Sequence, residues 1–287
     1  MLHISKYHGC GNDFIITEES QLDGRDLSSL IPAVCDRNSG IGADGFIVVR
    51  RSPLEMIFYN RDGSRAPMCG NGLRCFARFC YDERIVCWSS YTVETLAGPM
   101  EVKILETSPF TVELSMGRPD YRPQALGLQL PAAPSDGISA PAPCPEGPLW
   151  GHSLELDGEP LLLYSFFMAT DHTVHFCRDP EDPALLRKAE RLSSHPFFPR
   201  QINVDLVRVI DENTIALRTW ERGAGPTLAC GTGACAAALA AFKTHHCNND
   251  VTVLLPKGRL QIIIGQDEEV FLRGPAERIM KGVYYDY

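Results

Sequence analysis

The residues best suited to chemistry are two cysteines in closely matched surroundings, Met68-Cys69-Gly70-Asn71-Gly72 and Ala229-Cys230-Gly231-Thr232-Gly233. In each, a Cys-Gly-x-Gly turn leads directly into a helical stretch, Leu73 to Tyr81 and Ala234 to Lys243. The start of a helix leaves backbone N–H groups without intrahelical partners and carries the positive end of the helix dipole. A sulfur placed there is favoured as thiolate, and the same N–H groups can hold a carboxylate. Two such sulfurs suit inversion of a weakly acidic carbon: a thiolate takes the hydrogen from one face while a thiol delivers one to the other. Negative charge that builds up beside a substrate carboxylate is then stabilised by the helix N-termini.

The two motifs belong to a longer repeat. Cys69 and Cys230 are 161 positions apart, and the same offset lays Asn60-Arg61 on Glu221-Arg222 and Ile41-Gly42-Ala43-Asp44 on Ile202-Asn203-Val204-Asp205. A β-rich segment follows each of the last two, Phe46 to Val49 and Val207 to Ile210. Three matches without a slip imply an internal duplication. The expected fold is α+β: two similar domains, each a curled, mostly antiparallel sheet around a central helix, with the active site between them. The first domain is expected over 1–118 and the second over 119–275, the second beginning with a Pro-rich linker at 119–148.

The elements that must position the cysteines can be read around them. Ile4 to Thr17 reads as a strand interrupted at Gly9-Cys10-Gly11-Asn12-Asp13, where two glycines suggest a bulge or a close backbone approach to a ligand. The plainer alternative is a tight turn in which Asn12 bonds its own backbone. Asp26 to Cys35 reads as a short helix and Phe46 to Arg50 as a strand. Leu54 to Tyr59 is another, ending in a turn at Asn60-Arg61-Asp62-Gly63. Tyr91 to Thr95, Met100 to Leu105 and Thr111 to Met116 follow as strands. The second half resumes near Trp150, with strands at Leu161 to Met168, Thr173 to Phe176, Ile202 to Ile210, Thr214 to Trp220, Val251 to Leu255, Arg259 to Ile264 and Val270 to Arg273. Asp182 to Leu192 reads as a helix.

Bulk properties narrow the function. A net charge of −9 argues against nucleic acid or an anionic membrane as partner. The N-terminus shows no basic flank followed by an apolar run, and the longest apolar run, Leu161 to Ala169, is too short for a bilayer. A cytoplasmic protein is expected. Eleven cysteines at scattered spacings do not form a secreted disulfide framework. Cys75/Cys80 and Cys230/Cys235 are spaced loosely like zinc ligands, but helix positions five apart face different ways and the neighbours are apolar, so no metal is expected. A thiol redox protein would carry Cys-x-x-Cys, which does not occur here. A non-catalytic amino-acid binder would need the carboxylate grip but neither sulfur.

His8-Gly9-Cys10-Gly11-Asn12-Asp13-Phe14, Tyr59-Asn60-Arg61-Asp62-Gly63-Ser64 with the Cys69 motif, and Glu221-Arg222-Gly223-Ala224-Gly225 with the Cys230 motif closely resemble the diaminopimelate epimerase family. The resemblance runs the length of the chain. It implies a cofactor-independent isomerase, without pyridoxal phosphate or metal, that inverts LL-diaminopimelate to meso-diaminopimelate for lysine and cell-wall precursor biosynthesis. It also implies that a final strand, 276–287, returns to complete the first domain. Cys69 and Cys230 would be the catalytic pair, with His172 and Glu221 tuning them. Asn12, Asn60, Thr170, Asn203, Glu221 and Arg222 would bind substrate, and Gly70, Asn71, Gly231 and Thr232 would offer N–H groups. The implied partners are a small-molecule amino acid and, as an open assembly, a second copy in a homodimer.

Three positions depart from the family pattern. Thr170 stands in place of an asparagine within Met168-Ala169-Thr170-Asp171-His172, where the family often has Met-Gly-Asn-Pro-His. Gly45 replaces a common glutamine and Pro226 a common glutamate. They leave racemisation of another polar amino acid, such as histidine, as the alternative. Retention of Arg222 argues for a substrate with a second carboxylate, because a buried guanidinium without one would be costly.

Overall fold

The computed structural model describes residues 1–129 and 146–285. Most of the Pro-rich segment at 119–148 lies outside the described residues; within its described part, Pro123–Leu126 forms a single 3-10 turn. The chain divides into two compact units, Met1–Ser115 with Leu272–Tyr287, and Met116–Phe271.

In the first unit, β1 (Leu2–Gly9) and β2 (Asn12–Glu18) form an antiparallel hairpin. Both loop residues, Cys10 and Gly11, have positive φ, 55° and 90°. That is the backbone of the primed turns, whose twist matches the flanking strands. The expected bulge is therefore a tight turn, and the Asn12 side chain points to other residues rather than to its own backbone. Helix α1 (Leu27–Cys35), capped by Asp26, connects to β3 (Gly45–Arg51), which lies parallel to β2. β4 (Leu54–Asn60) returns antiparallel and pairs with the two-residue β5 (Arg65–Ala66). Helix α2 (Gly70–Asp82) follows, burying Leu73, Cys75, Phe76, Ala77, Phe79 and Cys80 against these strands. Then β6 (Ser90–Val93), β7 (Met100–Thr107) and β8 (Phe110–Ser115) form a meander.

The second unit repeats this order. β9 (Trp150–Leu156), a strand the sequence reading did not separate, pairs with β10 (Glu159–Phe167), and β11 (Asp171–Phe176) pairs with β10. Helix α3 (Pro183–Ser193), capped by Asp182, connects to β12 (Asn203–Asp211), again parallel to the strand before the helix. β13 (Thr214–Glu221), the two-residue β14 (Gly225–Pro226) and helix α4 (Gly231–Lys243) complete the match. The parallel pairings agree in register: Phe14 faces Gly45 and His175 faces Leu206, both 161 positions on. β15 (Asp250–Leu255), β16 (Gly258–Ile264) and β17 (Val270–Pro275) follow, β17 carrying the chain back into the first unit. There β18 (Glu277–Tyr284) pairs antiparallel with β1.

The two central helices solve the same packing problem differently. α2 fills its surroundings with aromatic and aliphatic side chains, whereas the buried positions of α4 from Ala236 to Ala241 are alanine apart from Leu239. Small side chains let the strands of the second unit close tightly on α4. Among the described residues no helix is long and apolar enough to cross a membrane.

Candidate active site

Each unit holds one cysteine at the same structural position. Cys69 is the N-cap of α2, with extended backbone (φ −142°, ψ 119°), and its Sγ accepts the Gly72 N–H at 3.4 Å. Cys230 is the N-cap of α4 (φ −116°, ψ 112°), and its Sγ accepts the Gly233 N–H at 3.3 Å. Sulfur thus takes the place that Ser or Asp oxygen commonly takes at a helix start. The helices begin at Gly70 and Gly231, three residues earlier than the apolar pattern indicated.

In the first unit two neutral amides, those of Asn12 and Asn71, lie beside Cys69. Asn12 Oδ1 lies 3.9 Å from the sulfur and accepts from Asn71 Nδ2 at 3.0 Å. Asn12 Nδ2 in turn donates to Asp44 at 2.7 Å. Asp44 shares Arg37 with Asp13, which also meets Lys6 at 2.9 Å. Burial works against the Asp13 charge, but the hydrogen bonds from Arg37 and Lys6 outweigh it and hold its carboxyl below the usual range. Asn60 donates its amide to Ser64 within its own turn, 3.0 Å away. Gly45 has no room for a side chain: a Cβ there would stand 2.7 Å from the Phe58 ring and 2.9 Å from the Tyr59 carbonyl.

In the second unit the groups around Cys230 are titratable. The sulfur lies 3.4 Å from Thr232 Oγ1, which lies 3.0 Å from His172 Nε2. His172 Nδ1 is 2.7 Å from Asp205 Oδ2, and the other oxygen of Asp205 accepts from Thr219 at 2.7 Å. Both His172 and Asp205 are fully buried. Glu221 accepts a hydrogen bond from Thr227. Burial pushes the Glu221 carboxyl above its ordinary range. Burial also pushes the Cys230 thiol well up, reinforced by Glu221 and Asp205 and only partly opposed by Thr232 and the Gly233 N–H.

A second cluster in this unit surrounds Arg222. Its backbone N–H donates to Asn203 Oδ1 at 3.0 Å, Nη1 to Asp171 at 2.8 Å and Nη2 to Thr170 Oγ1 at 3.1 Å. Arg200 donates to the other oxygen of Asp171 at 2.8 Å. Arg222 therefore already has a carboxylate partner, and its retention alone does not argue for a second carboxylate on the substrate. Asp171, Arg200, Asp205 and Thr227 were not singled out from the sequence. The signal for Asp205 was present, since the 161-residue offset places it on Asp44.

This duplicated fold is shared with solved proteins that include an epimerase and a PhzF-family protein. A hydroxyproline epimerase from Agrobacterium vitis superposes with a TM-score of 0.63 at 10% identity, over 98% of this chain and 91% of that one. A phenazine biosynthesis protein of the PhzF family from Bacillus anthracis does so with 0.66 at 14% identity, over 98% of each chain. The diaminopimelate epimerase of Alkaliphilus metalliredigens is 36% identical over 289 residues, covering 99% of this chain and 97% of that protein. Residues 4–121 and 164–279 match the diaminopimelate epimerase family, and the chain belongs to it.

Proposed function

We propose that the protein inverts one α-carbon of LL-diaminopimelate to give meso-diaminopimelate, with Cys69 and Cys230 as the acid–base pair. The observation that carries the reading is the pair of N-capping cysteines on duplicated helices. Cys69, half-buried at the start of α2 beside two amides, serves as the thiolate that takes the α-hydrogen. Cys230, held as a thiol by burial and by the neighbouring carboxylates, returns a hydrogen to the planar carbon. N–H groups at the starts of α2 and α4, around Gly70, Asn71, Gly231 and Thr232, would stabilise the substrate carboxylate as charge develops beside it.

The rest of the side-chain set fits the far end of the substrate. Arg200 and Arg222 share the single carboxylate of Asp171, leaving one positive charge uncompensated within the cluster. That matches one distal carboxylate, with Thr170, Asn203 and Asn60 as polar contacts. Glu221 and His172 set the proton affinity of Cys230. A histidine racemase on the same fold is not favoured, because the curated relatives matched over nearly the whole chain are named diaminopimelate epimerase. The domains proposed are 1–118 with 276–287, and 119–275, and the location proposed is the cytoplasm.

The test is incubation with LL-diaminopimelate and, separately, L-histidine in deuterated water. Deuterium at the α-carbon of diaminopimelate together with formation of the meso isomer is expected. Turnover of histidine with none of diaminopimelate would overturn the substrate assignment.

A further inference from the structure

The second unit contains a continuous hydrogen-bonded path that the acid–base pair alone does not require. It runs from Cys230 Sγ to Thr232 Oγ1, His172 Nε2, across the ring to Nδ1, and on to the buried Asp205 carboxylate. Asp205 is fixed from the other side by the Thr219 hydroxyl. It also lies directly under the first turn of α4: a Cβ on Gly233 would stand 2.4 Å from Asp205 Oδ1.

We propose that Asp205 is a positioning residue that holds His172 as its Nδ1–H tautomer, so that Thr232 relays a proton between Cys230 and His172. A carboxylate only accepts, so Nδ1 must donate and Nε2 is left as an acceptor for the Thr232 hydroxyl. The Thr232 oxygen is then free to accept the Cys230 S–H. When Cys230 acts as base, in the meso-to-LL direction, its S–H bond breaks and that proton joins Thr232 Oγ1. The original Thr232 O–H proton passes to Nε2. The products are a thiolate, an intact threonine and an imidazolium whose charge faces Asp205. Glu221, which also hydrogen-bonds Cys230, raises the proton affinity of the sulfur together with Asp205. Along the path through Thr232, His172 Nε2 is the acceptor that the geometry supplies.

The first unit shows what the relay is not. Asp44 and Asn71 stand 161 positions before Asp205 and Thr232, and Asn12 bridges them as His172 bridges the later pair. Amides take up no proton near neutral pH, so the Asn12 bridge between Asp44 and Asn71 is not itself a proton relay. The duplication has kept the carboxylate and changed what lies between it and the sulfur.

The catalytic part of this inference rests on the proposed epimerase function; the tautomer does not. The test is nitrogen-15 NMR of histidine-labelled protein, with the His172 resonances assigned by their loss in His172→Gln, alongside kinetics on meso-diaminopimelate. Wild-type His172 should carry its proton on Nδ1. Asp205→Asn, whose amide can donate to Nδ1, should shift the proton to Nε2 and lower kcat/KM by roughly 10²-fold. Thr232→Val should lose a similar factor, and Thr232→Ser should stay within about threefold of wild type. Wild-type His172 protonated on Nε2, or Thr232→Val within twofold of a wild type that turns over, would overturn the proposal. If Asp205→Asn does not fold, the wild-type tautomer and the Thr232 pair decide it. A wild type without α-hydrogen exchange would instead count against the function, and the tautomer would still be read.

Discussion

In the proposed mechanism Cys69 and Cys230 each combine a structural and a chemical role in one atom, because the sulfur that caps a helix would also exchange a hydrogen. The two roles separate on substitution. Cys69→Ala and Cys230→Ala should each lower kcat by about 10³-fold or more, while far-ultraviolet circular dichroism stays as in wild type. Epimerisation by either variant near the wild-type rate would rule out a two-base mechanism. Glu221 supports a pH prediction. Burial holds its carboxyl above the ordinary range, so the folded protein binds this proton more tightly than the unfolded chain does. Its stabilising contribution is full below the ordinary glutamate pKa of about 4.3 and is lost as pH rises through the higher folded value. Above roughly pH 4, the stability of wild type relative to Glu221→Gln should therefore fall as pH rises through the higher folded value. A difference in urea stability that stays flat over that range would contradict it.

At the scale of elements, α4 is the most constrained. Ala237 is fully buried in a helix face built almost wholly of alanine, so Ala237→Leu must displace strands packed on it. A loss of about 1–3 kcal/mol is expected, measured as a lower denaturation midpoint; an unchanged midpoint would mean the helix is loosely held. The cysteine helices were legible in the sequence because N-cap, glycine turn and apolar face are local and occur twice. The Gly9–Asn12 hairpin was misread because its decisive feature, a positive φ at Cys10, belongs to a residue type that seldom adopts it. The groups behind the sulfurs were harder still. Asp205 reaches His172 across 33 residues and Arg222 reaches Asp171 across 51, and no local pattern marks such partners. The family resemblance suggested which residues meet the substrate but not that Asp171 would already occupy Arg222.

For the whole molecule, the discontinuity of the first unit matters most. β1 lies between β2 and β18, and Leu2 and Ile4 are buried in the core there. A chain ended at Arg273 should leave the first unit open to protease while fragments from the second, spanning about Trp150 to Ile264, persist. Equal resistance of both units, read by mass mapping, would show that β18 is dispensable. The same discontinuity sets an order of events during synthesis. The ribosome delivers β1 well before its outer partner β18, and every strand lying wholly within the second unit emerges between the two. At about 5–20 residues per second, the outer edge of β1 stays unpaired for tens of seconds, and an unpaired edge invites pairing with other chains. The first unit is thus closed only after the second has been made, and β1 is the strand whose outer edge waits for its partner.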